Sequence, residues 1–292
     1  MDNIFPGIVV DHFYCKNEHV QAFFLTHWHK DHIKGLTFSW KKGTIYCSEV
    51  TKNIIDKARP TIDPDKVVAM KPYETITVCG TQVTMMDANH MAGSAMFFFD
   101  NHVRSVMYTG DYRYHHTMIL PNRADIVFID GTFNRKPIRM LTMPQSCQLL
   151  HSWLTNNDHD PSNPLYVGYF HFGTLTLLYG TYMEYGCKFR LEQKRMTEED
   201  YNICLIMYPD MWDQNSRNIV TPVYARNKEP LPDPIIMAST GWSMMEENHD
   251  HMGTITKDRR GHYRMNFSNH SDIYENEEML LRMPHQEVHY IE

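Results

Sequence analysis

The segment THWHKDH sets His27, His29, Asp31 and His32 in an HxHxDH array directly after an apolar run. Imidazole nitrogens and carboxylate oxygens are the donors that divalent transition metals take. Two histidines separated by one residue project from the same side of an extended segment, so His27 and His29 can reach one cation. Asp31 and His32 follow where the chain turns, and a second cation can sit beside the first. The competing reading, surface histidines in a loop, is the weaker one on the motif alone, and further donors weaken it more. The chain has 18 His in 292 residues, an excess with a direct reading in metal or acid–base sites.

Those further donors stand at the ends of other apolar runs. His90 follows Val83 to Asp87, and Asp111 follows Ser105 to Thr109 in YTGDYR. Gly110 lets the backbone turn sharply there, and the two oxygens of Asp111 can bridge two cations. His270, in FSNHSD, again follows a strand-like run. Asp11 in VVDHF and Asp130 in FIDGTF close apolar runs and suit acceptors for the N–H of a ligand imidazole.

The elements that must carry these residues are short. Gly7 to Val10, Ala22 to Thr26, Thr44 to Cys47, Thr75 to Cys79, Val83 to Asp87, Ala95 to Phe99, Ser105 to Thr109 and Ile126 to Asp130 read as strands between turn signals. β-Branched and aromatic residues on both faces predict sheets buried between layers, with a helix over Glu49 to Ala58. A second α/β region is expected from about Pro144. It comprises a helix near Pro144, a loop from Asn156 to Pro164, a strand over Leu165 to Phe170, a helix from Thr174 to Tyr185 stopped at Gly186, and strands over Asn218 to Ala225 and Ile235 to Ala238. After Gly253 come a strand over His262 to Phe267, a helix from Glu275 to Met283 and a strand over Glu287 to Ile291.

Composition narrows the class. At 42% hydrophobic and 22% charged residues the chain is globular in composition, without an apolar run of membrane-spanning length or a signal-peptide pattern, so an intracellular protein is expected. Six cysteines without a CxxC pair fit reduced thiols in the core. A net charge of −7 argues against non-specific nucleic-acid binding. Local basic groups remain at Lys41-Lys42, Arg135-Lys136, Lys194-Arg195 and Lys257 to Arg260.

Taken together, VVDHF, FFLTHWHKDHIKGL, IYCSEVT, VTMMDANHMAGSAMFFF, VMYTGDYRY, FIDGTF and FSNHSD resemble, in order and separation, the motifs of the β-CASP metallo-β-lactamase nucleases, specifically their DNA-processing branch. The resemblance implies an α/β fold, a metallo-β-lactamase αββα sandwich with an inserted β-CASP α/β domain. It implies residues 1–143 and 253–292 in the first domain, 144–252 in the insertion, and a substrate groove at their junction. His27, His29, His90 and Asp111 would hold one divalent ion, and Asp31, His32, Asp111 and His270 a second, with Asp11 and Asp130 supporting. Two cations are expected, zinc foremost, the second site being weaker or holding another ion. The implied catalytic residues are Asp31, His32, Asp111 and His270. The implied activity is 5′-to-3′ exonucleolytic hydrolysis of DNA phosphodiesters in repair or telomere end processing. A nuclear monomer is expected, acting on single strands or DNA ends rather than RNA, with a repair or telomere protein partner and no membrane.

Departures from the family pattern mark where that reading is exposed. His90-Met91-Ala92-Gly93 stands where relatives have a proline-containing HCPG turn, and Gly173-Thr174-Leu175 where they have Gly-Lys-Glu. Phosphate contacts would then fall to His171, Thr174 or Ser271. Asp272 in place of a serine would bring negative charge near the phosphate. Tyr112, Tyr114 and Phe133 could stack on bases or belong to the core. An RNA-directed nuclease of the same fold, for which His289 or Ile291 is the discriminating position, and a catalytically weakened scaffold are the alternatives.

Overall fold

In the strand Ala95–Asp100 successive side chains alternate between Phe97 and Phe99 on one side and Met96 and Phe98 on the other, so a sheet built from it must be covered on both faces. The computed structural model describes residues 4–134, 137–157, 163–223, 230–232, 234–239 and 253–291, and the chain divides into two units, Met1–Pro137 with His270–Glu292, and Ile138–Asn269.

The first unit is layered. Strands β1 (Ile8–Val10), β2 (Ala22–Phe24), β3 (Thr44–Ser48) and β4 (Val67–Met70) form a parallel sheet in chain order. A second sheet contains β5 (Thr75–Val78), β6 (Thr81–Asp87), β7 (Ala95–Asp100), β8 (Ser105–Tyr108), β9 (Ile126–Asp130) and β16 (Glu287–Ile291), in the order β16-β9-β8-β7-β6-β5. Its β16-β9-β8 part is parallel and the remainder antiparallel. Val10 and Phe24 of the first sheet meet Val83, Phe97, Phe99 and Val106 of the second in one core. Phe24 packs edge-on at 5.1 Å from both Phe97 and Phe99. The opposite face of the second sheet, with Met96, Met107, Val127 and Ile129, packs on Met279 and Met283, in and after helix α5 (Ile273–Arg282). Helix α1 (Glu49–Ala58) buries Ile54, Ile55 and Ala58 and is capped by the Ser48 side chain. The layer order is αββα, as expected.

The second unit has its own sheet and helices. Strands β10 (Leu165–Tyr169), β11 (Arg190–Leu191), β12 (Asn218–Pro222), β13 (Ile235–Ser239), β14 (Ile255–Lys257) and β15 (Tyr263–Asn266) are ordered β11-β12-β10-β13-β15-β14, parallel except for the β14–β15 pair. Helices α2 (Met143–Asn156), α3 (Gly173–Tyr185) and α4 (Glu198–Met207) belong to this unit. Thr142 caps α2 in a reciprocal box with Gln145, and α3 ends at Gly186 in the left-handed conformation.

Two boundaries differ from the sequence reading, and two elements are new to it. The chain returns to the first unit at His270 rather than at 253, because β15 pairs with β13 and continues the second sheet. The second unit begins at Ile138 rather than 144. Strand β4 and helix α4 carry no strong periodic signal in sequence and were not anticipated. Arg135-Lys136, much of the loop from Asn156 to Pro164 and the end of the strand expected to reach Ala225 lie outside the described residues. No helix among the described residues is long and apolar enough to cross a membrane.

Candidate metal centre

β2 ends at Phe24, and Leu25 prolongs it by one bond to the Tyr46 carbonyl, delivering Thr26 and the HxHxDH segment beyond the sheet edge. The Thr26 hydroxyl donates to Asp11 Oδ2 at 2.7 Å and lies 3.0 Å from His27 Nδ1. Its proton is thus spent on Asp11, so His27 Nδ1–H donates to Thr26 Oγ1 and the lone pair falls on Nε2. Gly110, at φ 54°, brings Asp111 against this segment. A Cβ there would lie 2.7 Å from Thr26 Cγ2, so only glycine permits the approach. His90 sits on a loop without the family proline, held instead by the Ser94 hydroxyl, which accepts from His90 N at 3.1 Å and Met91 N at 3.2 Å. Ser48 and Thr51 donate to the Gly93 carbonyl and tie the same loop to α1.

His27, His29, His90 and Asp111 converge as one group. His27 Nε2 lies 2.8 Å from His29 Nδ1, which lies 3.3 Å from His90 Nε2. Asp111 Oδ2 is 3.4 Å from His27, 4.0 Å from His29 and 3.6 Å from His90. A tetrahedron with metal–donor bonds of about 2.0–2.1 Å has edges of about 3.3–3.4 Å, which these separations bracket. Burial, with the neighbouring imidazoles, holds His27 and His90 neutral, well below the ordinary histidine range. Burial alone would favour neutral Asp111, yet His270 and His27 keep it ionised. Neutral imidazoles around one carboxylate form a donor set that fits a divalent cation.

Asp111 also faces a second pair of histidines, His32 through its other oxygen and His270 through Oδ2. Asp111 Oδ1 is 3.3 Å from His32 Nε2, and Oδ2 is 4.0 Å from His270 Nε2. Each of these histidines is backed by a carboxylate. Asp11, at φ 50°, accepts from Thr26 N at 2.9 Å and pairs with His32 Nδ1 at 2.8 Å. Asp130, fully buried, pairs with His270 Nδ1 at 2.8 Å and accepts from Tyr112 N and Thr132 N. Both carboxylates leave the Nε2 atoms turned toward Asp111. Asp111, Asp130 and His270 also gather as a donor group, but the oxygens of Asp130 are already taken by these bonds. Asp31 is the outlying member. Its side chain is 64% exposed and its Oδ2 lies 3.9 Å from His32 Nε2. Against the effect of burial, Asp11 and Asp111 hold the His32 proton well above the ordinary range, and Asp130 and Asp111 push His270 up to about 9. Protons on these two rings offset carboxylate charge that a cation would otherwise offset.

A buried network unanticipated from sequence locks the second group. Tyr112 OH donates to Asn276 Oδ1 at 2.6 Å, and Asn276 Nδ2 donates to the Asp130 carbonyl at 2.8 Å. Arg113 pairs with Glu275 at 2.9 Å. Ser271 is part of this lock, donating to the Tyr112 carbonyl and accepting from Tyr114 N, with no exposed surface. The phosphate role expected for Ser271 is therefore corrected, because its hydroxyl is consumed. The charge expected of Asp272 is likewise internal, since it caps α5 by accepting from Glu275 N at 2.9 Å and is fully buried. Tyr112, Tyr114 and Phe133 are core residues, not stacking surfaces. In the second unit, Thr174 is 2% exposed inside α3, which removes it as a contact for an incoming strand. His171 is half-buried and its Nδ1 accepts from Gly173 N, the first residue of that helix, at 3.1 Å.

Residues 11–154 match the family described as "Beta-lactamase superfamily domain". The chain is 38% identical over 123 residues to the DNA cross-link repair protein pso2/snm1 of Schizosaccharomyces pombe, covering 39% of this chain and 22% of that protein. It is 29% identical over 216 residues to the 5′ exonuclease Apollo of Danio rerio, covering 68% of this chain and 36% of that protein. The matched parts are thus well under half of those relatives' own length. A solved structure of a protein of unknown function from Enterococcus faecalis V583 superposes with a TM-score of 0.59 at 13% identity, over 93% of this chain and 79% of that one, a likeness of fold. Residues 11–154 are thus similar to a β-lactamase superfamily domain, a fold that implies divalent-metal binding, and the chain resembles the β-CASP DNA nucleases.

Proposed function

We propose that this protein is a metal-dependent phosphodiesterase acting on DNA, a 5′-to-3′ exonuclease of repair or end processing in the nucleus, with the second unit as its β-CASP insertion. The observation that carries the reading is Asp111 standing between two histidine groups, His27, His29 and His90 on one side, His32 and His270 on the other. The names of the relatives supply the substrate class.

Two divalent cations, zinc foremost, would be held by His27, His29, His90 and Asp111, and by Asp31, His32, Asp111 and His270, supplying Lewis acidity and a nucleophile at neutral pH. The protein's part is preorganisation. Thr26, Asp11 and Asp130 fix the tautomers of His27, His32 and His270 so that each Nε2 lone pair points inward. The half-buried Asp111, kept ionised by His270 and His27, stands between the two groups, where the cations that would assist in-line displacement at phosphorus would sit. Asp31, largely in solvent and 3.9 Å from His32, would complete the second set. Of the three candidate phosphate contacts only His171 keeps accessible surface, so the 5′-phosphate grip is expected to differ from that of a lysine-bearing relative.

Single-stranded and duplex DNA and RNA, with 5′-phosphate or 5′-hydroxyl ends, distinguish the readings in one assay. Shortening of 5′-phosphorylated DNA from its 5′ end is expected. Cleavage confined to RNA would move the substrate to the related RNA class, and no cleavage of any strand by metal-loaded protein would refute the enzymatic reading.

A further inference from the structure

The two connections that leave the metal centre carry an unassigned surface. The first runs from Asp11 to β2 and the second from His32 to β3, and because β1, β2 and β3 are parallel, both travel from the metal-bearing end of the sheet to its opposite end. Phe13, Phe23 and Trp40 pack beneath them as a buried aromatic cluster, with ring separations of 4.8–5.8 Å. Gly35, at φ 90°, lets the two connections touch, since a Cβ there would lie 2.7 Å from Tyr14 N.

Above that floor stand two large aromatic side chains in water, Tyr14 at 63% and Phe38 at 57% exposure. Phe38 is not loose. The Arg59 guanidinium lies 4.1 Å from its ring centroid, and its carbonyl accepts from the Thr61 hydroxyl. The same two connections, with Lys66 just ahead of β4, line an open pocket of about 760 Å³ whose charged groups are Lys16, Lys42, Lys66 and Glu18. Lys42 Nζ donates to the Cys15 carbonyl at 2.6 Å and joins the connections at the pocket rim. On a chain of net charge −7 this is a local excess of positive charge on the connections that carry the two exposed rings.

We propose that Tyr14, Phe38 and the lysine-lined pocket form a track for a single nucleic-acid strand along the two connections, starting from the end of the sheet opposite the metal centre. Bases stack on the two rings, and backbone phosphates lie against Lys16 and Lys66. The pairing of a basic groove with aromatic platforms is the general chemistry of single-strand binding and needs no base-specific contact. The proposal rests on the phosphodiesterase reading for its purpose, not for its observations.

The test is fluorescence anisotropy of a labelled single strand of about 12 nucleotides, as DNA and as RNA, with phosphorothioate linkages that resist cleavage and over a range of salt. Tyr14→Ala and Phe38→Ala are each expected to weaken binding about tenfold. Lys16→Glu and Lys66→Glu are each expected to lower the salt slope by about 0.7 per lost phosphate contact. Because these side chains are at the surface, metal content serves as the check that each variant is folded. Unmodified affinity and slope in all four variants, or no binding of either strand by the unmodified protein, overturns the track. Loss of binding in the variants, with no hydrolysis of bis(p-nitrophenyl) phosphate by the unmodified protein, supports the track and sinks the phosphodiesterase reading alone.

Discussion

Asp130→Asn preserves shape while removing one acceptor from a fully buried site, and its consequence follows from three hydrogen bonds. Asp130 Oδ2 meets His270 Nδ1 at 2.8 Å and Tyr112 N at 3.3 Å, and Oδ1 accepts from Thr132 N at 3.0 Å. With the amide oxygen toward His270, the NH2 faces the Thr132 N–H, and a buried donor left unpaired costs about 1–3 kcal/mol. In the flipped amide, the NH2 donates to His270 Nδ1 and forces the ring proton onto Nε2, removing the lone pair that faces Asp111. Either outcome is expected to weaken the second cation about 10- to 100-fold, the usual effect of losing a carboxylate behind a ligand histidine. The first group shares no bond with Asp130 and should keep its affinity within about threefold. Titration against a competing chelator measures both affinities, and nitrogen-15 NMR of the ring reports the tautomer. Unchanged affinity at both groups would refute the orienting role.

Other predictions follow the same geometry. Gly110→Ala places a Cβ 2.7 Å from Thr26 Cγ2 at a φ that disfavours it, so about 1–3 kcal/mol of stability and most of the bound metal should be lost, as read by thermal melting and metal analysis. Asp272→Ala removes the α5 cap and should cost about 0.5–2 kcal/mol in denaturant unfolding. In metal-free protein His270 titrates at about 9 against its ordinary 6.5. The raised value contributes stability fully present below about pH 6.5 and lost as pH rises through about 9, at most about 3 kcal/mol. Melting temperatures in chelator should fall across that window, whereas metal affinity should rise as the cation displaces the proton; a flat melting profile would count against it.

Much of the candidate donor cluster was legible because its residues sit at strand ends that hydrophobic runs announce. His27, His90 and Asp111 are delivered by β2, β6 and β8, and the turn at Gly110 is a local property of one residue. Asp11 and Asp130 were legible as acceptors for the same reason. What stayed hidden is non-local. Whether Ser271, Asp272 and Thr174 face a ligand or the core depends on packing partners more than 150 residues away for Ser271, and on helix termini for the other two. The return at His270 depends on β15 choosing β13 as its neighbour, which no local pattern encodes. Strand β4, four residues with a buried residue at each end, is too short to show alternation, and α4 mixes apolar and acidic residues around its axis.

The central claim is that phosphodiester hydrolysis depends on the cluster around Asp111. Hydrolysis of bis(p-nitrophenyl) phosphate, measured against bound divalent metal for the unmodified protein and for Asp111→Asn, tests it without involving strand recognition. The account predicts turnover that rises with metal occupancy and falls by at least about 10³-fold in the variant, as expected when the carboxylate shared by both groups is lost. Equal turnover in the two proteins at full metal loading would contradict it.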